Sequence, residues 1–202
     1  MILKASDTPV SRYEVRFSGS GGQGLITAAV IFAEAAGVFG GRHVCQTQSY
    51  GPEARGGKSR AEVVISDQPI DYPKALNLDL LLAMNQAACD AYFFDLQPNG
   101  LLVVDSSLVE QYPTSRIIAI PFTKIAREEI GKVVVANMVA LGAVGILSGQ
   151  VAIEHLERSL LGRIPPGTEE MNLQALRRGV EEGEKVDVST LPRALMSDDY
   201  DL

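Results

Sequence analysis

The sequence predicts an α/β fold, a three-layer α/β/α sandwich around a largely parallel sheet. Three observations predict it. Short apolar or β-branched runs alternate with helical stretches from Tyr13 to Ile130, the rhythm of strand–helix–strand units that cover both faces of a sheet. A glycine-rich segment, GSGGQG, joins the first strand directly to the first helix, which makes the fold Rossmann-like. The connection between the second and third strands is too short for a helical crossover, so that pair fits an antiparallel arrangement in an otherwise parallel sheet.

Element by element, Tyr13–Phe17 alternates apolar and charged residues as a strand does. Leu25–Phe39 is rich in Ala, Ile and Val with Glu34 as its one charge, which predicts a buried helix that Gly40 and Gly41 stop. His43–Thr47 reads as the second strand, leading into a polar loop over Gln48–Lys58 that carries neither period. Arg60–Ile65 is a β-branched strand closed by the turn SDQP, and Asp79–Met84 is short and apolar enough for a central strand buried on both faces. Helix Gln86–Asp95, the turn PNG, strand Leu101–Asp105, strand Ile117–Pro121 and helix Thr123–Ile130 follow. Ala136–Ser148, Ala152–Leu161 and the more charged Glu169–Glu184 predict three further helices. Residues 1–184 are expected to form one domain. Lys185–Leu202, with Pro192 and the acidic run SDDYDL, has no sustained period and is expected to be a mobile or docking tail.

The 202 residues are 46% hydrophobic and 21% charged, an ordinary globular composition that supports one core. A formal net charge of −7 with no concentration of Lys and Arg lacks the electrostatic footprint of phosphate-backbone binding, so nucleic acid is not an expected partner. The start MILKASDTPVSR lacks the apolar core of a signal peptide, and Cys45 and Cys89 are the two cysteines, far apart. A cytoplasmic chain with reduced thiols is the expectation. The most apolar stretch, Val133–Leu147, is broken by Asn137 and two glycines and falls short of the roughly 20 residues a membrane span needs, so a buried helix and no membrane are expected.

The segment FSGSGGQGL places Gly19, Gly21 and Gly24 at G-x-G-x-x-G spacing between a strand and a helix, with Gly22 and Gln23 inside it. Glycines let the backbone approach a phosphate, and a helix N-terminus offers free N–H groups and partial positive charge. A dinucleotide site also wants an acidic residue at the end of the second strand, about 20 residues on, to hold the ribose; Thr47, Gln48 and Ser49 stand there instead. An anion site, an NAD-class site and a strand-to-helix turn packed on a neighbouring chain all remain open at this point.

The second loop, SYGPEARGGKSR, gathers Tyr50, Glu53, Arg55, Gly56, Gly57, Lys58 and Arg60 within a dozen positions. Loops at a sheet edge concentrate binding residues, although a solvated surface loop has the same composition. Asn137, at the head of the apolar helix, either caps that helix or hydrogen-bonds a ligand or loop backbone. His43 and His155 lack ligand-spaced companions, Cys45 and Cys89 read as small buried hydrophobes, and Asp105, Glu110, Glu128 and Glu129 fit caps or solvated charge. No catalytic or metal residue is assigned.

GSGGQG, then QTQSYGPEARGG, then NMVALGA at Asn137–Ala143 together resemble the gamma subunit, or equivalent fused domain, of the 2-oxoacid:ferredoxin oxidoreductases over roughly Tyr13–Glu184, and the wording SYGPEARGG looks most like the 2-oxoglutarate enzymes. That resemblance implies a complex that decarboxylates a 2-oxoacid on thiamine diphosphate with magnesium, passes electrons through iron-sulfur clusters to ferredoxin, and forms an acyl-coenzyme A. A four-iron cluster needs about four Cys thiolates, more than this chain has, and no thiamine diphosphate motif is evident. The resemblance therefore implies alpha and beta subunits, with a ferredoxin-like delta chain in some complexes, as the carriers of those groups. Gly19, Gly21, Gly22, Gln23, Gly24, Tyr50, Glu53, Arg55, Gly56, Gly57, Lys58 and Asn137 are the expected contributors to a site shared with them, with coenzyme A as the phosphate-bearing candidate.

Overall fold

Strand β1 (Tyr13–Ser20) alternates a fully buried apolar set, Val15 and Phe17, with a buried polar set, Glu14, Arg16 and Ser18. A strand covered on both sides belongs at the centre of a sheet, and the computed structural model, which describes residues 12–50 and 58–193, places it there. The other strands are β2 (His43–Tyr50), β3 (Lys58–Ser66), β4 (Leu78–Ala83), β5 (Leu96–Asp105) and β6 (Ile117–Ile120), in the spatial order β2-β3-β1-β4-β5-β6. β4, β5 and β6 continue parallel from β1. β3 runs antiparallel to both its neighbours, β1 and β2, so the sheet is mixed, as the short connection before β3 implies.

The two faces of the sheet are covered unequally. Val15 and Phe17 join Ala61, Val63, Ile65, Leu80 and Leu82 in the main core. Helices α1 (Leu25–Glu34), α3 (Phe122–Glu128), α4 (Ala136–Ser148), α5 (Ile153–Leu161) and α6 (Glu169–Glu184) all contribute to that core. The opposite face carries a smaller cluster of Val64, Leu81, Ala83, Leu102 and Val104 beneath the short helix α2 (Gln86–Tyr92). Three layers are present, but among the described residues the second helical layer is one short helix.

α4 is buried on nearly every side because it is sandwiched between inner elements and α6. Small residues permit the contact. A Cβ at Gly142 would lie 2.9 Å from the Val180 amide nitrogen and collide with the Leu176 carbonyl, and one at Gly179 would collide with the Val139 carbonyl oxygen. The helices meet backbone to backbone.

Several boundaries differ from those the sequence predicts. α1 ends at Glu34, and Ala35–Phe39 continues as a π-helical turn before Gly40. Gln86–Asp95 divides into α2 and a 3-10 turn over Phe93–Asp95. The PNG segment is not a turn: Pro98, Asn99 and Gly100 lie within β5, where pairing with β4 jumps from Leu78↔Leu96 to Leu80↔Leu101. Strands β1 to β3 also run further than their apolar runs, because ladder hydrogen bonds carry β1 through Gly19 to Ser20 and β2 through Gln48 and Ser49.

After α6 the chain forms a 3-10 turn at Val188–Thr190, and Val186, Val188 and Leu191 pack against the main core. Arg116 on the β6 side donates to the carbonyls of Leu191 and Pro192 at 3.2 and 3.0 Å. The acidic run that ends the sequence lies outside the described residues.

Candidate functional site

α1 leaves β1 toward the large helical layer, and α2 leaves the adjacent parallel strand β4 toward the small one. Where successive connections diverge to opposite faces, a crevice opens outside the carboxyl ends of the strands. The residues at that point are Ser20 to Gly24 after β1 and Met84 and Asn85 after β4. Gly22 and Gly24 have φ of 92° and 70°, left-handed values that glycine adopts without strain, and the turn they make feeds directly into α1.

The turn is held by side chains. Gln23 folds back so that its Oε1 accepts from the Ser20 amide at 2.6 Å, while its Nε2 reaches the Met84 carbonyl at 3.5 Å. That returning side chain fills the space where a Cβ on Gly19 would stand, which is why Gly19 is a glycine although it lies in β1. Asn85 caps α2 by accepting from Ala88 N at 2.8 Å and donates to Ser20 Oγ at 2.5 Å, tying β4 to β1 across the crevice. Ser20 and Asn85 are missed by motif reasoning, since a single Ser and a single Asn carry no spacing signal.

Asn137 comes to the turn from a distant part of the chain and donates to the Gly24 carbonyl at 3.0 Å. Of its two sequence readings, capping is the one the structure corrects: the N-cap of α4 is Val135, and Asn137 lies inside the helix. Its amide also stands where a Gly24 Cβ would be. Asn137→Ala is expected to destabilise the protein by about 1 kcal/mol, the net worth of one such hydrogen bond, read as a lower urea midpoint at unchanged slope.

The strand ends that flank the second loop lie beside the first. Ser20 is the register partner of Lys58, and Ser59 is the partner of Tyr50, so the two loops leave the sheet along one rim. Glu53, Arg55, Gly56 and Gly57 lie outside the described residues, and Tyr50 and Lys58 are defined here as backbone positions. Insertion of β3 between β1 and β2 places the end of β2 two strand spacings, roughly 10 Å, from β1. In a dinucleotide-binding fold those two strands are neighbours. Position and residue type therefore both depart from a ribose-binding arrangement.

The rim also carries exposed apolar surface. Val133 and Val134, in the 3-10 turn that leads into α4, are 48% and 72% exposed. No group of His, Cys, Asp and Glu among the described residues has the arrangement to hold a metal. Cys89 is buried, and burial followed by the charge of Asp90 pushes its thiol up. Asp79, at the opposite end of the sheet from the glycine turn, has its carboxyl pushed up chiefly by burial. Asp105 is wholly buried and accepts from the amides of Ser107 and Thr123 at 2.9 and 3.0 Å, fixing β5 to the start of α3.

The sequence profile of the pyruvate ferredoxin/flavodoxin oxidoreductase family matches residues 14–182. The chain belongs to that family. Within the pyruvate ferredoxin/flavodoxin oxidoreductase family, it is 48% identical over 174 residues to the 2-oxoglutarate synthase subunit KorC of Methanocaldococcus jannaschii, covering 84% of this chain and 93% of the relative. KorC of Methanothermobacter marburgensis is 44% identical over 185 residues, covering 86% of this chain and all of the relative. Among solved structures, the gamma subunit of a keto/oxoacid ferredoxin oxidoreductase from Geobacter sulfurreducens superimposes with a TM-score of 0.77 at 46% identity, over 86% of this chain and 99% of the other. A 2-oxoglutarate:ferredoxin oxidoreductase from Magnetococcus marinus shares the fold at a TM-score of 0.76 and 22% identity, and there the match covers 33% of the longer chain. Among the described residues no helix is long and apolar enough to cross a membrane.

Proposed function

We propose that this chain is the gamma subunit of a 2-oxoglutarate:ferredoxin oxidoreductase complex, one that converts 2-oxoglutarate and coenzyme A to an acyl-coenzyme A while reducing ferredoxin. The observation that carries the reading is the 48% identity to a 2-oxoglutarate synthase subunit over 93% of its length. The donor set agrees with a supporting role. Cys45 is half-buried on β2 and Cys89 is buried in α2, and two separated thiols do not make the four-thiolate set of an iron-sulfur cluster. Clusters, thiamine diphosphate and magnesium are assigned to alpha and beta partners and, where present, a delta chain.

This chain contributes a rim to the shared site. Gly19, Gly21, Gly22, Gln23 and Gly24, pinned by Asn137, supply a turn at the head of α1, and the segment from Tyr50 to Lys58, with Glu53, Arg55, Gly56 and Gly57, supplies the charged groups. Among the described residues nothing stands within 4 Å of where a Cβ on Gly22 would be, which leaves that side of the turn for a ligand or a partner backbone. Coenzyme A is the proposed ligand, because its phosphates match the Arg55 and Lys58 cations and the helix N-terminus.

In the complex reconstituted with its alpha and beta partners, Arg55→Ala is expected to raise the apparent KM for coenzyme A about tenfold, the size of one charge-assisted hydrogen bond. An unchanged KM overturns the coenzyme A role. Failure of the wild-type chain to co-purify with a thiamine diphosphate-binding partner overturns the subunit assignment itself.

A further inference from the structure

Among the described residues, the small helical layer is narrower than the sheet face it packs on. Past Tyr92, that face continues across β3 and β2 as Arg60 and Glu62 beside Ser49 and Thr47, which are their register partners. Thr47, Gln48, Ser49, Arg60, Glu62 and Lys74 line a groove of about 240 Å³ there.

The floor of the groove is a buried ion pair. Arg16 Nε and Nη2 hold Glu62 Oε1 at 2.9 and 2.7 Å, Thr47 Oγ1 donates to Glu62 Oε2 at 3.3 Å, and Asp95 pairs with Arg16 from the far side. Arg16 and Glu62 are 3% and 7% exposed. The Glu62 carboxylate is thus engaged at both oxygens and turned toward the floor.

The walls carry cations that are held less tightly. The Arg60 guanidinium lies over the Tyr92 ring at 5.4 Å, its Nε is 3.7 Å from Glu62, and it makes no hydrogen bond among the described residues. Lys74 is exposed, and its ammonium forms no ion pair among the described residues. Arg16, Arg60 and Lys74 stand against Glu62 and Asp95, a local excess of one positive charge in a chain whose formal net charge is −7. A guanidinium stacked on a ring is already ordered and keeps the edge of its donor fork free, the arrangement that receives an oxyanion bidentately at small entropic cost.

We propose that this groove binds an oxyanion, the phosphate or carboxylate group of a small ligand, with Arg60 as the bidentate anchor, Lys74 as a second charge and Ser49 as a neutral donor. The groove lies one rung in from the second loop and apart from the glycine turn: Arg60 is the register partner of Ser18, before the end of β1, and lies on the face that α1 does not cover. The inference goes beyond the coenzyme A reading and does not depend on it.

The test is titration of the isolated full-length chain with inorganic pyrophosphate and, separately, with malonate, followed by amide chemical shifts. Saturable shifts centred on Thr47–Ser49 are expected, and the tighter probe identifies phosphate or carboxylate as the preferred group. Arg60→Gln and Lys74→Gln are each expected to weaken binding about tenfold. Arg60→Lys, which keeps the charge and loses the fork, should fall between, and Lys124→Gln on α3 should bind as wild type. Spectra of the variants that superimpose on wild type away from the groove establish that they are folded. The proposal is overturned if neither probe saturates, or if both Gln variants bind as the wild type does.

Discussion

Gly179→Ala is expected to destabilise the protein by about 2–4 kcal/mol, read as a urea midpoint lowered by roughly 1 M or more at unchanged slope. The direction runs against helix propensity, since Ala in a helix interior is favoured over Gly by about 1 kcal/mol. What reverses it is the helix–helix contact. The new methyl would collide with the Val139 carbonyl oxygen and lie 2.7 Å from its carbon and 3.1 Å from the Ala143 nitrogen. These are backbone atoms, so no rotamer change relieves the clash, and α6 must move away from α4. Because α4 is itself packed against α1, α3 and β4, displacing it disturbs the main core. Gly162, which closes α5 at a φ of −77° with its nearest outside atom 3.5 Å from the Cβ position, is the control. Gly162→Ala is expected to be neutral or slightly stabilising. If Gly179→Ala behaves likewise, the close approach of α4 and α6 is wrong.

Arg16→Met is expected to destabilise by about 3–5 kcal/mol, because it strands a buried carboxylate. Arg16 is 3% exposed and lies between Glu62, Asp95 and the Tyr92 ring, 5.0 Å from its centroid. With the guanidinium gone, Glu62 keeps, among the described residues, the Thr47 hydroxyl and a distant Arg60. The Asp95 side chain is 44% exposed and can turn to water. The loss is therefore expected to come mainly from Glu62, and Arg16→Met combined with Glu62→Gln should recover most of it. Equal loss in the single and double variants, measured by urea unfolding, would show that packing of the arginine stem outweighs the charge pair.

These two features differ in how far the sequence announces them. The alternation in YEVRF marks a two-faced strand, and β1 is one. Alternation does not say whether the charged face is wet, and here it is not, since α2 and the turn after it bring Tyr92 and Asp95 over Arg16. The order of strands and helices was legible because buried apolar runs keep their period, and α4 and α6 begin and end where their patterns do. Strand ends were less so, because Gln48 and Ser49 in β2 and Gly19 in β1 are held by ladder bonds that polar side chains and glycine neither signal nor prevent. The PNG segment carries strong turn chemistry, yet it forms an irregularity inside β5, where pairing with β4 outweighs local preference. At the candidate site, the glycine spacing was visible but the meaning of Gln23 and Asn137 was not. Each acts through a contact, with Ser20 or with Gly24, that spacing alone does not encode.

The antiparallel strand β3 has one more consequence. It joins the two loops mechanically. Ser20, from which the glycine turn departs, shares a rung with Lys58, where the second loop returns, and among the described residues β2 pairs with the sheet through β3. The last rung of the β1–β3 ladder is thus common ground for the start of the glycine turn and the return of the second loop, and a shift of β3 along β1 would displace both at once.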